Sequence, residues 1–151
     1  MLHEIVRRSV AEAALDEYRQ WVICESDFDR EAMVSSYWTD CGVMRVSDGA
    51  AWCGVFALWC LKQAGLADGV KWKIGLGFIA PLRLQLTMAP DIGDVIYYDR
   101  LQHHAIIDTI GDDEVWAING NAPGILRARV KIDSRPHYFS ITPLIEQAFS
   151  S

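Results

Sequence analysis

Three features of the sequence predict an α+β fold. Helical periodicity dominates the first 65 residues, a glycine-bearing stretch follows, and from Asp94 onward short β-branched and aromatic runs are separated by Gly, Asp, Asn or Pro. Helices first and strands after predict one domain over residues 1–151, with a core helix packed on one face of an antiparallel sheet of about five strands in a meander.

Residues 1–24 carry Ile5, Val6, Val10, Ala13, Ala14, Tyr18 and Trp21 against a charged opposite face, the pattern of an amphipathic scaffold helix. Residues 25–50 read as a short helix from Asp29 that becomes irregular and walls a substrate cleft. "AWCGVFALWCLKQAG", Ala51 to Gly65, is the central element. Val55, Phe56, Leu58, Trp59, Leu61 and Ala64 are spaced for a helix buried on most sides, with Cys53 at its start and Gly65 as its stop. Gly69, Gly75 and Gly77 then predict loop, with a short helix around Pro81 to Leu86. Strands are expected at 94–98, 103–110, 114–119, 125–132 and 137–141, and a last helix from Pro143 to Phe149.

Composition narrows the function. A net charge of −6 disfavours nucleic acid and anionic membrane surfaces as partners. No apolar run approaches the roughly 18 residues of a membrane span. Glu4, Arg7, Arg8, Glu12, Asp16 and Glu17 are unlike a signal peptide, so synthesis and folding in a cytoplasm are expected. The four cysteines, Cys24, Cys41, Cys53 and Cys60, form no CxxC, and at least Cys53 and Cys60 are expected to be reduced. With no CxxC and no HxxxH, zinc is not expected, and neither is any other metal or organic cofactor.

Cys53 carries the chemistry. At a helix N-terminus the free backbone N–H groups and the positive end of the macrodipole favour thiolate over thiol, and the Cys53 N–H can stabilise an oxyanion on a substrate carbonyl. A nucleophilic thiolate needs a base. Of the four histidines, His3 lies in the first helix and His137 opens the last strand, while His103 and His104 open a central strand. Alternation sends these two side chains to opposite faces, so at most one is expected to meet the cysteine helix. If the following hairpin closes on Gly111-Asp112, paired residue numbers sum to 223 and His104 faces Asn119; a four-residue loop gives 225 and puts Asn121 opposite instead. Either carboxamide would orient the imidazole as the third member of a triad does. A one-residue slip would exchange His104 for His103.

In order, "AWCGVFALWCLKQAG", "IGDVIYY", "HHAIID" and "AINGN" resemble the blocks of the CHAP amidase/peptidases, a papain-like family related to the NlpC-type cell-wall peptidases. Those blocks read roughly Trp-Cys-Ala-Ala-Phe, Pro-Gly-Asp, His-Val-Gly-Ile-Val and Ile-Glu-Gly-Asn, and the likeness spans residues 49 to 141. The resemblance implies a papain-like fold with Cys53 as nucleophile, His104 as general base and Asn119, in place of the commoner acid, as third member; Asn121 remains its rival. Ile92 stands for the family's proline, and Ala105-Ile106 for Val-Gly. The activity implied is cleavage of an amide bond in peptidoglycan, at the muramoyl-L-alanine linkage, in the stem peptide or in the cross-bridge. A phage lysis enzyme or an injected antibacterial effector, the latter with a cognate immunity protein, would act on the wall in this way after delivery.

Tyr37, Trp38, Trp52 and Trp72 are expected to flank the cleft and stack on sugar or peptide. Two other functional classes fit the same residues: a deamidase or acyltransferase toxin acting on a protein, and a non-catalytic binding module with a buried Cys53.

Overall fold

The computed structural model describes residues 1–45, 50–73, 82–133 and 136–149. Helix α1 spans Leu2–Ile23 and buries Val6, Val10 and Ala14, one residue per turn, against the core. It touches both the cysteine helix and the third strand. Residues 27–40, expected to be mostly irregular, instead form a second full helix, α2, Asp27–Asp40. The Ser26 hydroxyl caps it by accepting the Asp29 N–H at 3.1 Å. The serines and threonine that suggested a loop are absorbed by donating back to the helix, Ser36 Oγ to the Met33 carbonyl at 2.6 Å and Thr39 Oγ1 to that of Ser35 at 3.1 Å.

Helix α3, Cys53–Gln63, begins at the cysteine as expected and buries eight of its eleven residues. Phe56, Leu58 and Leu61 are at most 1% exposed, and each contributes about 2 kcal/mol through burial. Gly65, at φ +80°, takes the left-handed turn that ends it. The short helix expected around 81–86 does not form over the described part of that range, and Pro81, Gly75, Gly77 and the "SDG" at 47–49 lie outside the described residues. Arg83 adopts φ +53°, which no helix accommodates, and the chain continues into strand β1, Gln85–Thr87.

The remaining strands are β2 (Val95–Tyr98), β3 (His103–Ile110), β4 (Glu114–Asn119), β5 (Leu126–Lys131) and β6 (His137–Ser140), and α4 (Thr142–Ala148) closes the chain. Their order in the sheet is β1-β6-β2-β3-β4-β5, and all pairings are antiparallel. Among the described residues the sheet therefore has six strands rather than about five, and β6 does not extend the meander. It returns to β2, matching Tyr97 to His137, and so satisfies the second row of β2 backbone groups.

One core lies between the helices and the face bearing Val95, Tyr97, Ile106 and Ile118; a smaller one covers the other face around Ile96, Ala105, Ile107, Ala117 and Tyr138. Arg7 ties the layers together. Its guanidinium, buried, donates to Asp94 Oδ1 at 2.6 Å, the Ile92 carbonyl at 2.9 Å and Thr142 Oγ1 at 2.8 Å, linking α1 to β2 and α4. Asp94 in turn accepts from the Ile141 and Asp91 N–H groups. Gly93, at φ +85°, lets this turn lie against the α1 backbone, where a Cβ would sit 3.0 Å from the Arg7 carbonyl.

Candidate active site

Cys53 occupies the first position of α3 with Trp52 as the N-cap residue, so its N–H has no carbonyl partner within the helix. Its sulfur lies at the end of the sheet, 3.6 Å from the Gln102 carbonyl. Hydrogen-bond direction in β3 explains that position. The Ile107 N–H and carbonyl both bond toward β2, to the Asp94 carbonyl and the Gly93 N–H, so the even-numbered residues before it turn theirs toward β4. But β4 ends at Asn119, paired with Ala105. The Gln102 carbonyl and the His104 N–H, beyond the last rung of the ladder, are left to meet Cys53, and the His104 N–H does bond the sulfur.

The hairpin register corrects the expected pairing. Near the turn Ile110 faces Val115, a sum of 225, but a β-bulge between Ile107 and Thr109 lowers it, and beyond the bulge Ala105 faces Asn119, a sum of 224. Neither simple register holds, and His103, not His104, shares a face with Asn119. His103 Nε2 stands 2.8 Å from Asn119 Oδ1. The carboxamide is oriented by its own nitrogen, which donates to the Ala117 carbonyl at 3.3 Å and the Leu126 carbonyl at 3.5 Å and so turns Oδ1 to the ring. His103 Nε2 is then the donor, and Nδ1 is the nitrogen left for the sulfur. Asn121, the rival third residue, is exposed in a turn at φ +57°.

The bulge residue is Asp108, whose buried carboxylate receives Arg127 through Nε at 3.0 Å and Nη2 at 2.7 Å. An aspartate in the apolar run "AIIDTI" is the sequence signal that marks the interruption.

Both histidines act on the Cys53 thiol, although alternation led to the expectation that only one would. The sulfur sits at the strand's end rather than over one face, where the side chains on either side of β3 both lower its pKa. Burial disfavours the thiolate, but the hydrogen bonds from the two histidine side chains, the His104 N–H and the charge on His103 outweigh it, and the Cys53 pKa is lowered to about 6. His103 moves the opposite way. Burial disfavours its imidazolium, yet its hydrogen bonds to Cys53 and Asn119 raise its pKa. The two shifts favour a thiolate–imidazolium pair. Cys60 and Cys41 show the contrast, since burial pushes the Cys60 thiol well above its ordinary value and that of Cys41 up to about 12.

Of the aromatic residues expected to line a cleft, three do not. Tyr37, Trp38 and Trp52 are 0%, 6% and 4% exposed and belong to the core. Trp52 packs against Trp21, Tyr37 and Phe56, and the Tyr37 hydroxyl donates to Glu17 at 2.7 Å. The α2 face that carries Tyr37 and Trp38 is apolar, and packing it on α3 removes it from water. Trp72 does reach the site, with its ring 5.7 Å from that of His104. Open ground lies instead at the β2–β3 turn, where Tyr98, Asp99, Arg100 and Leu101 line a concavity of about 690 Å³.

Among the described residues no group of three or more His, Cys, Asp or Glu side chains is placed to hold a metal, and no helix is long and apolar enough to cross a membrane. Comparison with protein-family models, curated proteins and solved structures gives no match.

Proposed function

We propose that this protein is a cysteine amidohydrolase of peptidoglycan, with a papain-like domain of the CHAP type. The observation that supports it most is the Cys53, His103 and Asn119 arrangement at the start of a core helix, with the thiol pKa lowered to about 6. In this reading His103 holds the proton taken from Cys53. The thiolate attacks an amide carbonyl, and the Cys53 N–H and the α3 macrodipole stabilise the tetrahedral oxyanion. His103 gives its proton to the departing amine, leaving a thioester on Cys53. It then takes a proton from water, whose oxygen attacks the thioester and releases the carboxylic acid and free cysteine.

The reading of the bond rests on the family likeness. It is an amide at the muramoyl-L-alanine linkage, in the stem peptide or in the cross-bridge, and the wall is the place of action. Neither a metal nor an organic cofactor enters this chemistry. An inhibitor protein that covers the concavity at 98–101 belongs to the same proposal if the protein is a toxin.

Mass spectrometry of purified peptidoglycan digested by the wild type and by Cys53→Ala tests it. New fragments made only by the wild type support the hydrolase, and their masses name the bond. An unchanged sacculus, with Cys53 still alkylated rapidly at pH 6.5, retains the nucleophile but removes peptidoglycan in favour of a protein amide substrate. Slow alkylation, rising only near the pH of ordinary thiols, would leave a binding module.

A further inference from the structure

The turn between β2 and β3 presents an arginine to a concavity. The turn is tight: the Leu101 N–H donates to the Tyr98 carbonyl at 3.2 Å and the Gln102 N–H to that of Asp99 at 3.3 Å, with Gln102 at φ +48°. Asp99 is already engaged, because His137 Nε2 lies 2.6 Å from its Oδ2 and ties the turn to the start of β6. Arg100 is exposed and makes no ion pair with any described residue. With Tyr98, Asp99 and Leu101 it lines the concavity of about 690 Å³, a volume within the range of about 300–1,000 Å³ that small-ligand sites occupy. Leu101, 75% exposed, adds an apolar side chain to that lining.

Two contacts join this concavity to the candidate active site. Tyr98 pairs with His103 across β2 and β3, and their rings stand 6.0 Å apart. At the other end of the turn, the Gln102 carbonyl lies 3.6 Å from the Cys53 sulfur. The chain that lines the concavity therefore runs directly into the residue that touches the nucleophile. Arg100 precedes Gln102 by two residues, so at about 3.8 Å per step its Cα lies within roughly 14 Å of the sulfur. An extended peptide covers that distance in about four residues.

The lining selects the ligand. A guanidinium recognises a carboxylate through paired N–H donors, and the phenol ring and the leucine offer apolar surface to the rest of a peptide. We propose that this concavity is a substrate subsite in which Arg100 binds a free carboxylate of the peptide, within about four residues of the amide that Cys53 attacks. The subsite deepens the cysteine-hydrolase reading and rests on it. Stem peptides of peptidoglycan carry such carboxylates, and amidating the one that Arg100 holds removes the charge it recognises.

Affinity labelling tests the subsite without a choice of scissile bond. The full chain is treated with iodoacetyl-peptides of one to five alanines, each as the C-terminal acid and as the C-terminal amide. Intact-mass spectrometry follows modification of Cys53, Cys53→Ala is the labelling control, and circular dichroism checks folding. The dependence of rate on peptide concentration separates affinity from the maximal rate. For peptides of two to four alanines the acid should bind about tenfold more tightly than the amide, the worth of one charge-assisted hydrogen bond. Arg100→Ala should bring the acid to the level of the amide. Arg100→Lys, which keeps the charge but not the fork, should retain part of the preference, and Arg100→Glu should reverse it. Muropeptides with free and amidated stem carboxylates should divide in the same way, in KM rather than in kcat.

Equal affinity of acid and amide at every length in the wild type would overturn the subsite and leave the nucleophile in place. So would a preference for the acid that survives in both Arg100→Ala and Arg100→Glu. If neither form modifies Cys53 in the folded wild type, the nucleophile fails and the subsite falls with it, so the two failures are told apart.

Discussion

His103 Nε2 and Asn119 Oδ1 stand 2.8 Å apart across the β3–β4 hairpin, and the carboxamide is held there by two backbone carbonyls that its nitrogen bonds. A residue fixed this firmly orients the ring rather than merely touching it. Asn119→Ala is expected to lower turnover about 10- to 100-fold, as loss of base orientation does. Asn119→Asp keeps an acceptor and adds charge, so it should retain most activity while the alkaline limb of the pH–rate profile moves to higher pH. Equal loss in the two variants would argue that position 119 only packs.

The cysteines should label in a defined order. Thiolate fraction controls alkylation, so Cys53 should react at half its plateau rate near pH 6, approach the plateau about one unit higher and lose about tenfold per unit well below it. Cys41 and Cys60 are buried with raised pKa values and should stay unmodified until the protein unfolds. Peptide mapping after brief iodoacetamide treatment at pH 6.5 checks this; labelling of Cys60 in the native protein would contradict the buried position.

Breaking the Arg7–Asp94 pair should be costly. Asp94→Ala leaves the buried guanidinium with only the exposed Asp91 carboxylate at 3.7 Å and frees the Ile141 and Asp91 N–H groups. Losing one partner of a buried pair costs about 3–5 kcal/mol. Urea unfolding should show a drop of that size. A change within 0.5 kcal/mol would mean that water replaces the carboxylate freely.

The bulge offers a test far from the sulfur. Arg127→Ala strips the buried Asp108 carboxylate of its ion-pair partner, while the arginine itself is partly exposed. A loss of about 2 kcal/mol is expected, less than for a fully buried pair. Because Asp108 sets the register that brings His103 to Asn119, turnover should fall as well, with the Cys53 alkylation midpoint rising. Loss of stability with the midpoint unchanged would separate the bulge from the site.

Much of this arrangement was legible in the residue order. Val55, Phe56, Leu58 and Leu61 mark a buried helix and Gly65 its end, so Cys53 at a helix start follows from local pattern, as do β2 to β6 within a residue or two. The helix α2 was obscured by serines and a threonine that bond back to their own helix, a preference that becomes favourable once Val34, Tyr37 and Trp38 are buried on α3. The same burial took Tyr37, Trp38 and Trp52 into the core, because an aromatic side chain reads alike in sequence whether it faces a cleft or an interior.

By itself the sequence determined the α+β class, the cysteine at the head of the core helix, and a histidine and an asparagine on adjacent strands. Which histidine meets Asn119 was decided only by tertiary structure. Strand faces alternate with every residue, so one bulged residue, Asp108 held by Arg127, exchanges them. That the backbone at the head of β3 meets the sulfur was decided in the same way, by β4 ending at Asn119 and leaving the Gln102 carbonyl and His104 N–H for Cys53. Register and strand ends depend on contacts between distant segments, and local pattern does not carry them.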